Sequence, residues 1–302
     1  MEINNNQKGM GIIDFTKTFS LGNLLIFIED LKIYQERLEI KEIDLKIITG
    51  KNTTKVFNLL LPLIYQYLEV SKCQLISSLD IKKIYNIKNE YQFVFPSREE
   101  FLSKEFTLDS TKIVQDFFNK KRYIPKLVSN EKESIRKFLQ KKSSGKTPVA
   151  IHLKNNHLTP NDSNANVKEW YNFLNCCWDR QFPVQFFLVG DDQIEEAILS
   201  LPNVTRTRNE NLNILDDLII IEQASLFMGM CSGPFQIALF NDKPYIVFKN
   251  PTHHKNEMIK EIGVQNKYPF ATEKQKILRV IETKEILLKE LLKVFPNFIN
   301  IT

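Results

Sequence analysis

Short apolar segments alternating with segments of helical periodicity are the feature that most constrains the fold of this chain. In the second half, the apolar segments PVAIHLK, VQFFLVG, SLFMGM and PYIVF occupy residues 148–154, 184–190, 225–230 and 244–248. The segments between them have apolar residues at helical spacing, at residues 166–176, 193–199 and 214–223, and another such segment begins at Pro234. Strands that alternate with helices pair in parallel, because each helix returns the chain to the edge where the next strand begins. The second half is therefore predicted to be a doubly wound α/β unit.

The first half repeats this alternation less regularly. Apolar segments occur at residues 10–15, 44–50, 73–76 and 91–95. Helical spacing follows at residues 21–37, 54–70 and 110–120. Because strands and helices alternate here too, this half is predicted to be a second Rossmann-like unit with parallel strand pairing.

The length of 302 residues is typical of two domains. A polar stretch at residues 125–148 separates the two halves. We predict an N-terminal domain at residues 1–135 and a C-terminal domain at residues 136–281, that is, two Rossmann-like doubly wound α/β domains facing each other across a cleft. Apolar side chains at spacings of three and four predict a terminal helix within residues 282–302, packing back toward the first domain.

Composition and charge exclude several classes of protein. Hydrophobic residues make up 43% and charged residues 25% of the chain, which excludes a disordered or fibrous protein. The net charge, 41 − 36 = +5, is spread along the chain, so nucleic acid is not an expected partner. The apolar segments are too short to span a membrane, and the N-terminus lacks the layout of a signal peptide. We expect a soluble, cytoplasmic protein.

The cysteines and histidines predict neither a disulfide framework nor a metal site. The four cysteines, which have no C-x-x-C spacing, are Cys73, Cys176, Cys177 and Cys231. The pair His253-His254 has no carboxylate or cysteine at ligand spacing, and no D-x-D triplet occurs. We therefore expect no bound metal.

Three common signatures of enzyme function are incomplete or missing from the sequence. SGKT at residues 144–147 resembles the end of a phosphate-binding P-loop, but a predicted helix precedes it and Gln140 stands where the first glycine belongs. No G-x-G-x-x-G segment occurs, which argues against a conventional dinucleotide-binding oxidoreductase. No G-x-S-x-G segment occurs, which argues against an α/β-hydrolase.

The carboxyl ends of the predicted strands carry candidate ligand-binding residues. Ligands of open α/β sheets bind outside these ends, where glycine lets the backbone approach a ligand closely. Gly22 and Gly190 follow predicted strands, while His152 and Lys154 end the first strand of the second domain. Lys154 could neutralise a phosphate, or it could lie in a solvated loop. Asp191-Asp192 could bind ribose hydroxyls, but we expect this pair to cap the following helix.

The segment at residues 225–248 carries the strongest local signal. Its strand ends at Cys231-Ser232-Gly233, and Pro234 occupies a position typical of the first residue of a helix. The N–H groups of Ser232, Gly233 and Phe235, together with the Ser232 hydroxyl and the helix dipole, would form an anion site suited to a diphosphate. An ordinary strand–turn–helix connection explains this segment equally well when it is taken alone.

Taken together, these segments resemble the GT-B glycosyltransferases, and most closely the bacterial lipopolysaccharide heptosyltransferase family. The family segment adlfigndSGpmHlAaalgkPvvalf is similar to ASLFMGMCSGPFQIALFNDKPYIVF here, with matches at Ser232, Gly233, Pro234, Ala238 and Pro244. The family's amino-terminal SxGD loop is similar to Ser20-Leu21-Gly22-Asn23.

The resemblance implies transfer of a sugar from a nucleotide-diphosphate donor to a hydroxyl acceptor, in bacterial cell-surface glycan assembly of the lipopolysaccharide type. It implies an acceptor-side loop at Ser20, Leu21 and Gly22. It implies donor contacts at His152, Lys154, Gly190, Ser232, Gly233, Pro234 and Gln236. The only implied small-molecule partner besides the acceptor is the nucleotide-sugar donor, with no metal or other cofactor. The implied acceptor is a glycan or a lipid-linked glycan, which a cytoplasmic protein reaches by peripheral contact with the inner face of the membrane.

Three positions depart from the pattern of the family. Asn23 stands at the family's catalytic position in place of an Asp, and an amide cannot accept a proton at neutral pH. Cys231 replaces an Asp before Ser-Gly, and Gln236 replaces a His. Either another carboxylate, such as Asp14 or Glu29, serves as the base, or the chain is a non-catalytic relative that binds a nucleotide sugar or a partner. A sugar-phosphate isomerase or epimerase on a similar scaffold is a third alternative.

Overall fold

The computed structural model of the chain describes residues 8–16, 20–48, 53–77, 85–103, 108, 113–114, 126–130, 132–156, 163–263 and 266–301. These residues form two compact units. Unit 1 takes in the described residues up to 113 together with 126–130, and unit 2 takes in residue 114 and the described residues from 132 onward. Each unit contains a parallel sheet with helices, so the predicted α/β class with two Rossmann-like units is confirmed.

The sheet of unit 1 contains β1 (Lys8–Asp14), β2 (Glu42–Ile48), β3 (Val70–Ile76) and β4 (Phe93–Phe95). All neighbours pair in parallel in the order β3-β2-β1-β4. The helices of unit 1 are α1 (Leu21–Leu38), α2 (Thr53–Tyr67) and the short α3 (Arg98–Leu102), with a 3-10 helix at Tyr85–Glu90. The chain runs outward in one direction from β1 through β2 to β3 and places β4 on the other side. A topological switch point therefore lies between β1 and β4.

Helix α1 passes through the interior of unit 1. Eight consecutive residues from Leu24 to Leu31 are buried, so side chains on every side of the helix are covered. The helix lies close to the sheet at Gly11 of β1, where a Cβ atom would come within 2.9 Å of the Leu31 side chain. The ring of Phe27 also contacts that of Phe95 in β4, with 5.7 Å between centroids.

Unit 2 has a six-stranded parallel sheet. Its strands are β5 (Thr147–His152), β6 (Val184–Leu188), β7 (Val204–Arg206), β8 (Leu226–Met230), β9 (Tyr245–Phe248) and β10 (Gln275–Leu278). The order is β10-β9-β8-β5-β6-β7, so successive strands run outward from β5 in one direction and from β8 in the other. The switch point lies between β5 and β8, which pair in parallel.

The helices of unit 2 follow the alternation that the sequence predicts. They are α4 (Glu133–Ser143), α5 (Val167–Asp179), α6 (Glu196–Leu199), α7 (Ile214–Gln223), α8 (Phe235–Leu239), α9 (Lys255–Ile262) and α10 (Lys284–Val294). Short 3-10 helices occupy Thr207–Glu210 and Pro296–Ile301. The predicted boundary after residue 135 falls inside α4, and that whole helix belongs to unit 2.

The core of unit 2 explains why its strands read as continuous apolar runs. Every residue of β6, β8 and β9 is buried, as expected for strands covered on both faces. Trp170 of α5 packs edge-to-face on Phe173 and on Phe248, with centroids 5.8 and 6.0 Å away. Leu287 and Leu291 of α10 join the same core. The terminal helix thus packs within unit 2, and its packing toward the first domain stays a prediction.

Several predicted features differ from the structure or lie outside it. Helix α9 and the edge strand β10 are missing from the sequence-based prediction, because β10 alternates buried and half-buried residues and carries Lys276. The last two residues of the apolar segment at 44–50 and most of the predicted helix at residues 110–120 lie outside the described residues. None of the helices that the structure describes is long and apolar enough to cross a membrane.

Candidate functional site

His152 occupies the centre of a hydrogen-bonded chain at the switch point of unit 2. It is the last residue of β5, and its side chain is buried, with 4% of the residue exposed. Its Nδ1 lies 2.8 Å from the Ser232 hydroxyl, which follows β8. Its Nε2 lies 3.1 Å from Oδ2 of Asp192, which follows β6. Residues from three neighbouring strand ends therefore meet at one imidazole.

Asp192 is held in place from two sides. Its Oδ1 accepts a hydrogen bond of 2.7 Å from the N–H of Asn155, and its Oδ2 contacts His152. Burial acts to raise the pKa of Asp192, but these hydrogen bonds and the positive charge of Lys154 bring that pKa below its ordinary value. Asp192 is therefore a carboxylate at neutral pH. The prediction that Asp192 caps the next helix is wrong, because α6 begins at Glu196 after Glu195 and has no side-chain cap.

Two glycines make room for His152. Gly190 has φ +98°, and a Cβ atom there would lie 2.7 Å from Cδ2 and 2.9 Å from Nε2 of His152. A Cβ atom on Gly229 would lie 2.4 Å from the His152 carbonyl oxygen. Side chains at these positions would push His152 out of place. Gly190, predicted as a donor contact, therefore borders the site through His152.

A buried ion pair fixes the loop that contains Gly190. The Gly190 N–H donates a 2.9 Å hydrogen bond to Oδ2 of Asp217, a residue of α7 with no exposed surface. Arg208 donates to the same oxygen at 2.6 Å and also to the Asp191 carboxylate. Arg206 donates to the backbone carbonyl of Asp192 at 3.2 Å. The loop after β6 is thus braced by charges from β7, α7 and the 3-10 helix between them.

The turn after β8 presents unpaired N–H groups. The N–H groups of Ser232 and Gly233 have no acceptor among the residues that the structure describes. The N–H of Phe235, predicted to be available, instead donates to the Ser232 carbonyl at 3.1 Å. Pro234, at the start of α8, has no N–H, and no side chain caps this helix. Two of the three predicted N–H donors are therefore available to an anion.

The remaining predicted donor contacts lie around this turn and at the end of β5. Gln236, in the first turn of α8, has a buried Oε1 without a partner among the described residues. Lys154 donates a 2.5 Å hydrogen bond to the Ser163 hydroxyl, which orients its ammonium group. Burial raises the pKa of the Cys231 thiol, and the charge of Lys249, whose Nζ lies 4.0 Å from Sγ, opposes this rise. Cys231 is therefore a neutral thiol next to Ser232.

In unit 1 the residues of the predicted acceptor-side loop form a helix cap. Ser20 is the N-cap of α1, and Leu21 and Gly22 belong to its first turn rather than to a loop. The Ser20 hydroxyl accepts from the Asn23 N–H at 3.1 Å, and Asn23 Oδ1 accepts from the Ser20 N–H at 3.2 Å. Asn23 Nδ2 donates to the Leu108 carbonyl at 2.7 Å. All the polar groups of the Asn23 side chain are therefore engaged in holding structure.

The two candidate bases of unit 1 have very different surroundings. Asp14 ends β1 at the switch point and is half-buried, and its Oδ1 accepts hydrogen bonds from the N–H and hydroxyl of Thr16 at 2.9 and 2.5 Å. Glu29 of α1 has no exposed surface, and neither carboxyl oxygen has a partner among the described residues. Burial raises the pKa of Glu29 well above its ordinary value. Burial thus favours the neutral form of Glu29 and makes it inaccessible, whereas Asp14 lies where substrates of such sheets bind.

The sequence indicates neither the contact of Asp192 with His152 nor the hydrogen bond from Gly190 to Asp217. Asp192 follows a glycine after a buried strand, a signal that also fits a helix cap. Asp217 lies in the first turn of α7, where an acidic residue favours the helix whether or not it has another partner. In the described residues, no group of three or more His, Cys, Asp or Glu side chains lies close enough together to hold a metal ion.

The two parallel sheets, each with a switch point at its carboxyl edge, define the α/β fold of the GT-B glycosyltransferases. Solved structures of this fold include the ADP-heptose lipopolysaccharide heptosyltransferase II of E. coli, at TM-score 0.60 and 12% identity, covering 96% of this chain and 99% of that one. The glycosyl transferase family 9 protein of Veillonella parvula matches at TM-score 0.53 and 9% identity, over 95% and 97% of the two chains.

The E. coli heptosyltransferase WaaC with ADP matches at TM-score 0.52 and 12% identity, over 94% of this chain and 99% of that one. No protein-family model matches the sequence, and no curated protein matches it either. At these identities the similarity shows the fold that this chain shares with glycosyltransferases. Its reaction has to be argued from the site itself.

Proposed function

We propose that this chain is a glycosyltransferase that moves a sugar from a nucleoside-diphosphate donor to a hydroxyl acceptor. The observation that carries the proposal is the uncapped turn at Ser232 and Gly233, which lies beside the buried His152 and its partner Asp192 at the switch point of unit 2. Ligands of doubly wound sheets bind at this position. A fold shared over almost the whole chain with heptosyltransferases, one of them solved with ADP, supports a nucleoside-diphosphate sugar as the ligand.

The turn offers the diphosphate hydrogen-bond donors and positive charge. The N–H groups of Ser232 and Gly233 would donate to phosphate oxygens, and the Ser232 hydroxyl would add a third hydrogen bond. Lys154 lies at the end of β5 in the same edge of the sheet and would neutralise part of the charge. Donors fixed in advance by the fold stabilise the developing charge of a leaving diphosphate, typically by a few kcal/mol for each donor.

In the transfer step, the acceptor hydroxyl oxygen forms a bond to the anomeric carbon of the donor sugar. The bond between that carbon and the phosphate oxygen breaks, and the diphosphate leaves with the electron pair. The acceptor proton passes to a base, for which we propose Asp14. Glu29 is excluded from this role because it has no exposed surface that an acceptor could reach.

The acceptor in this proposal is a glycan or a lipid-linked glycan of the bacterial cell surface, and the enzyme acts in the cytoplasm with peripheral contact to the inner membrane face. The fold shared with the lipopolysaccharide heptosyltransferase II of E. coli supports this acceptor class. Because N–H groups and Lys154 supply the positive character that the leaving group requires, the proposed mechanism includes no metal ion.

Isothermal titration calorimetry with ADP, UDP, GDP and an ADP-heptose tests the donor site. We expect one nucleoside diphosphate to bind with micromolar affinity and to raise the melting temperature. Ser232→Trp, which fills the turn, should abolish this binding, whereas Ser200→Trp, at an exposed position after α6, should leave it intact. If none of the four compounds binds at millimolar concentration, the proposal of a donor site is wrong.

The base is tested separately from the donor site. Asp14→Asn should leave nucleoside-diphosphate affinity unchanged and reduce release of free nucleoside diphosphate in the presence of acceptor at least a hundredfold. Glu29→Gln should reduce turnover much less. Full activity in Asp14→Asn would show that a different group accepts the proton.

A further inference from the structure

The contacts of His152 determine which of its nitrogens carries a proton. Asp192 is a carboxylate and can only accept a hydrogen bond, so Nε2, at 3.1 Å, must carry a proton. In the neutral ring Nδ1 is then bare and acts as an acceptor. In its 2.8 Å contact with Nδ1, the Ser232 hydroxyl can therefore act only as the donor.

This arrangement leaves the Ser232 hydroxyl unsuited to an anion. Its proton is directed either to His152 or to the Met230 carbonyl, 3.3 Å away, and a phosphate oxygen would meet the lone pairs of Oγ. A second proton on the imidazole removes the conflict. Nδ1 then donates to Oγ, Nε2 still donates to Asp192, and the hydroxyl proton is free to point toward a phosphate oxygen.

We propose that the Asp192–His152 pair makes diphosphate binding proton-linked: the site takes up one proton at His152 when the nucleoside diphosphate binds at Ser232. This inference rests on the proposed function, because it requires an anionic ligand at that turn. His152 and Asp192 act here as positioning residues, since they set the direction of the Ser232 hydroxyl. Because linkage is reciprocal, a higher proton concentration strengthens ligand binding.

The charges around His152 fit this role. Asp192 on the β6 side is the carboxylate in contact with the ring and stabilises the imidazolium. Lys154 at the end of β5, Arg206 from β7 and Lys249 at the end of β9 add positive charge around the edge. Beyond Gly190, Asp217 is paired with Arg208. The negative charge of a bound diphosphate would favour the imidazolium further.

Calorimetric titration of the full chain with ADP, in buffers of equal pH and different ionisation enthalpy, measures the protons taken up on binding. At the alkaline end of the titrated range we expect uptake approaching one proton per ADP and a Kd that rises up to tenfold per pH unit. Uptake should decrease toward acidic pH, because a ring that already carries both protons takes up no further one. If another nucleoside diphosphate binds in place of ADP, the same titration uses that compound.

Two variants distinguish His152 from other sources of protons. His152→Asn should bind more weakly with no proton uptake, whereas His254→Asn, at an exposed residue with φ +50°, should keep the wild-type uptake. Ring 15N spectra of the ligand-free chain at pH 8, assigned by the loss of signal in His152→Asn, should show the Nε2–H tautomer.

The outcomes separate this proposal from the function on which it rests. Binding without proton uptake, uptake that persists in His152→Asn, or an Nδ1–H tautomer would each overturn the proton linkage and leave the donor site standing. Failure of every nucleoside diphosphate to bind would overturn both.

Discussion

Helices α1 and α8 start at the carboxyl edges of the two sheets in opposite ways. Helix α1 begins with a complete capping box, in which Ser20 and Asn23 satisfy each other's backbone N–H groups. Helix α8 begins at Pro234 with no side-chain cap, and the turn before it leaves the N–H groups of Ser232 and Gly233 unpaired. A capped start stabilises the helix, whereas an uncapped start at a switch point is available to a ligand.

One buried titratable side chain from each unit gives a second comparison. In unit 2, His152 has partners on both ring nitrogens, although it lies at the edge where a ligand would bind. In unit 1, neither carboxyl oxygen of the fully buried Glu29 has a partner among the described residues. These two side chains therefore differ in their hydrogen bonding, although unit 2 also contains buried polar atoms without partners, such as Oε1 of Gln236.

The largest expected effect tests the glycine that makes room for His152. Gly190→Ala adds a Cβ 2.7 Å from the ring at a residue with φ +98°, so it should lower the free energy of unfolding by about 3 kcal/mol and abolish nucleoside-diphosphate binding. Gly145→Ala is the control, because Gly145 has φ +84° with nothing within 4 Å. It should lower stability by only about 1 kcal/mol and leave binding unchanged. Urea denaturation measures the free energy of unfolding, and calorimetry measures binding. Equal losses of both in Gly190→Ala and Gly145→Ala would show that the contact with His152 is unimportant.

In unit 1, by contrast, we predict that a substitution of Glu29 increases stability. Glu29→Leu removes a buried carboxyl without a partner and should raise the free energy of unfolding by about 1–3 kcal/mol at pH 8. Because folding raises the pKa of Glu29, the contribution of Glu29 to the free energy of unfolding is largest at low pH. This contribution falls as the pH rises from the ordinary glutamate pKa toward the raised pKa of the folded state.

Urea denaturation between pH 4 and pH 8 tests whether the Glu29 contribution to the free energy of unfolding falls as the pH rises. Glu29→Gln should remove the part of the decline that Glu29 causes, and Glu36→Leu, at an exposed residue of the same helix, should change stability little. A destabilised Glu29→Leu variant would mean that the carboxyl has a stabilising role.

The smallest expected effects separate the two helix starts directly. Asn23→Ala removes half of the capping box and should lower the free energy of unfolding by about 1–2 kcal/mol without changing the Kd for nucleoside diphosphate. Ser232→Ala should raise that Kd about tenfold, because one hydrogen bond to phosphate is lost. A changed Kd in Asn23→Ala, or an unchanged Kd in Ser232→Ala, would contradict the proposal that the start of α1 only stabilises a helix and the start of α8 binds a ligand.

The sequence predicts the strands of unit 2 well because their burial on both faces leaves continuous apolar runs, as in VQFFL of β6. It also places His152, Ser232 and Gly190 at strand ends, and parallel pairing brings the ends of β5, β6 and β8 to one edge. Strand order follows from which apolar faces pack together, so the sequence alone does not show that β5 lies between β6 and β8.

The polar details were less accessible from the sequence. Asp192 was assigned to a helix cap because a cap and a histidine partner need the same residue type, and its partner lies 40 positions away. The Phe235 N–H was predicted to be available because a regular helix start leaves it unpaired, but the chain turns tightly enough for the Ser232 carbonyl to accept it. Glu29 was considered as a base because its burial cannot be seen in a helix that is apolar on nearly every side.

The hydrogen bond between His152 and Ser232 joins residues 80 positions apart in the sequence. Closing so long a loop is entropically unfavourable until the intervening strands and helices are in place. The contact between this turn and His152 therefore requires that the β5–β8 pairing has formed. A ligand bound at that turn would slow the opening of unit 2 as a whole, so protection from hydrogen exchange should spread well beyond the residues that contact it.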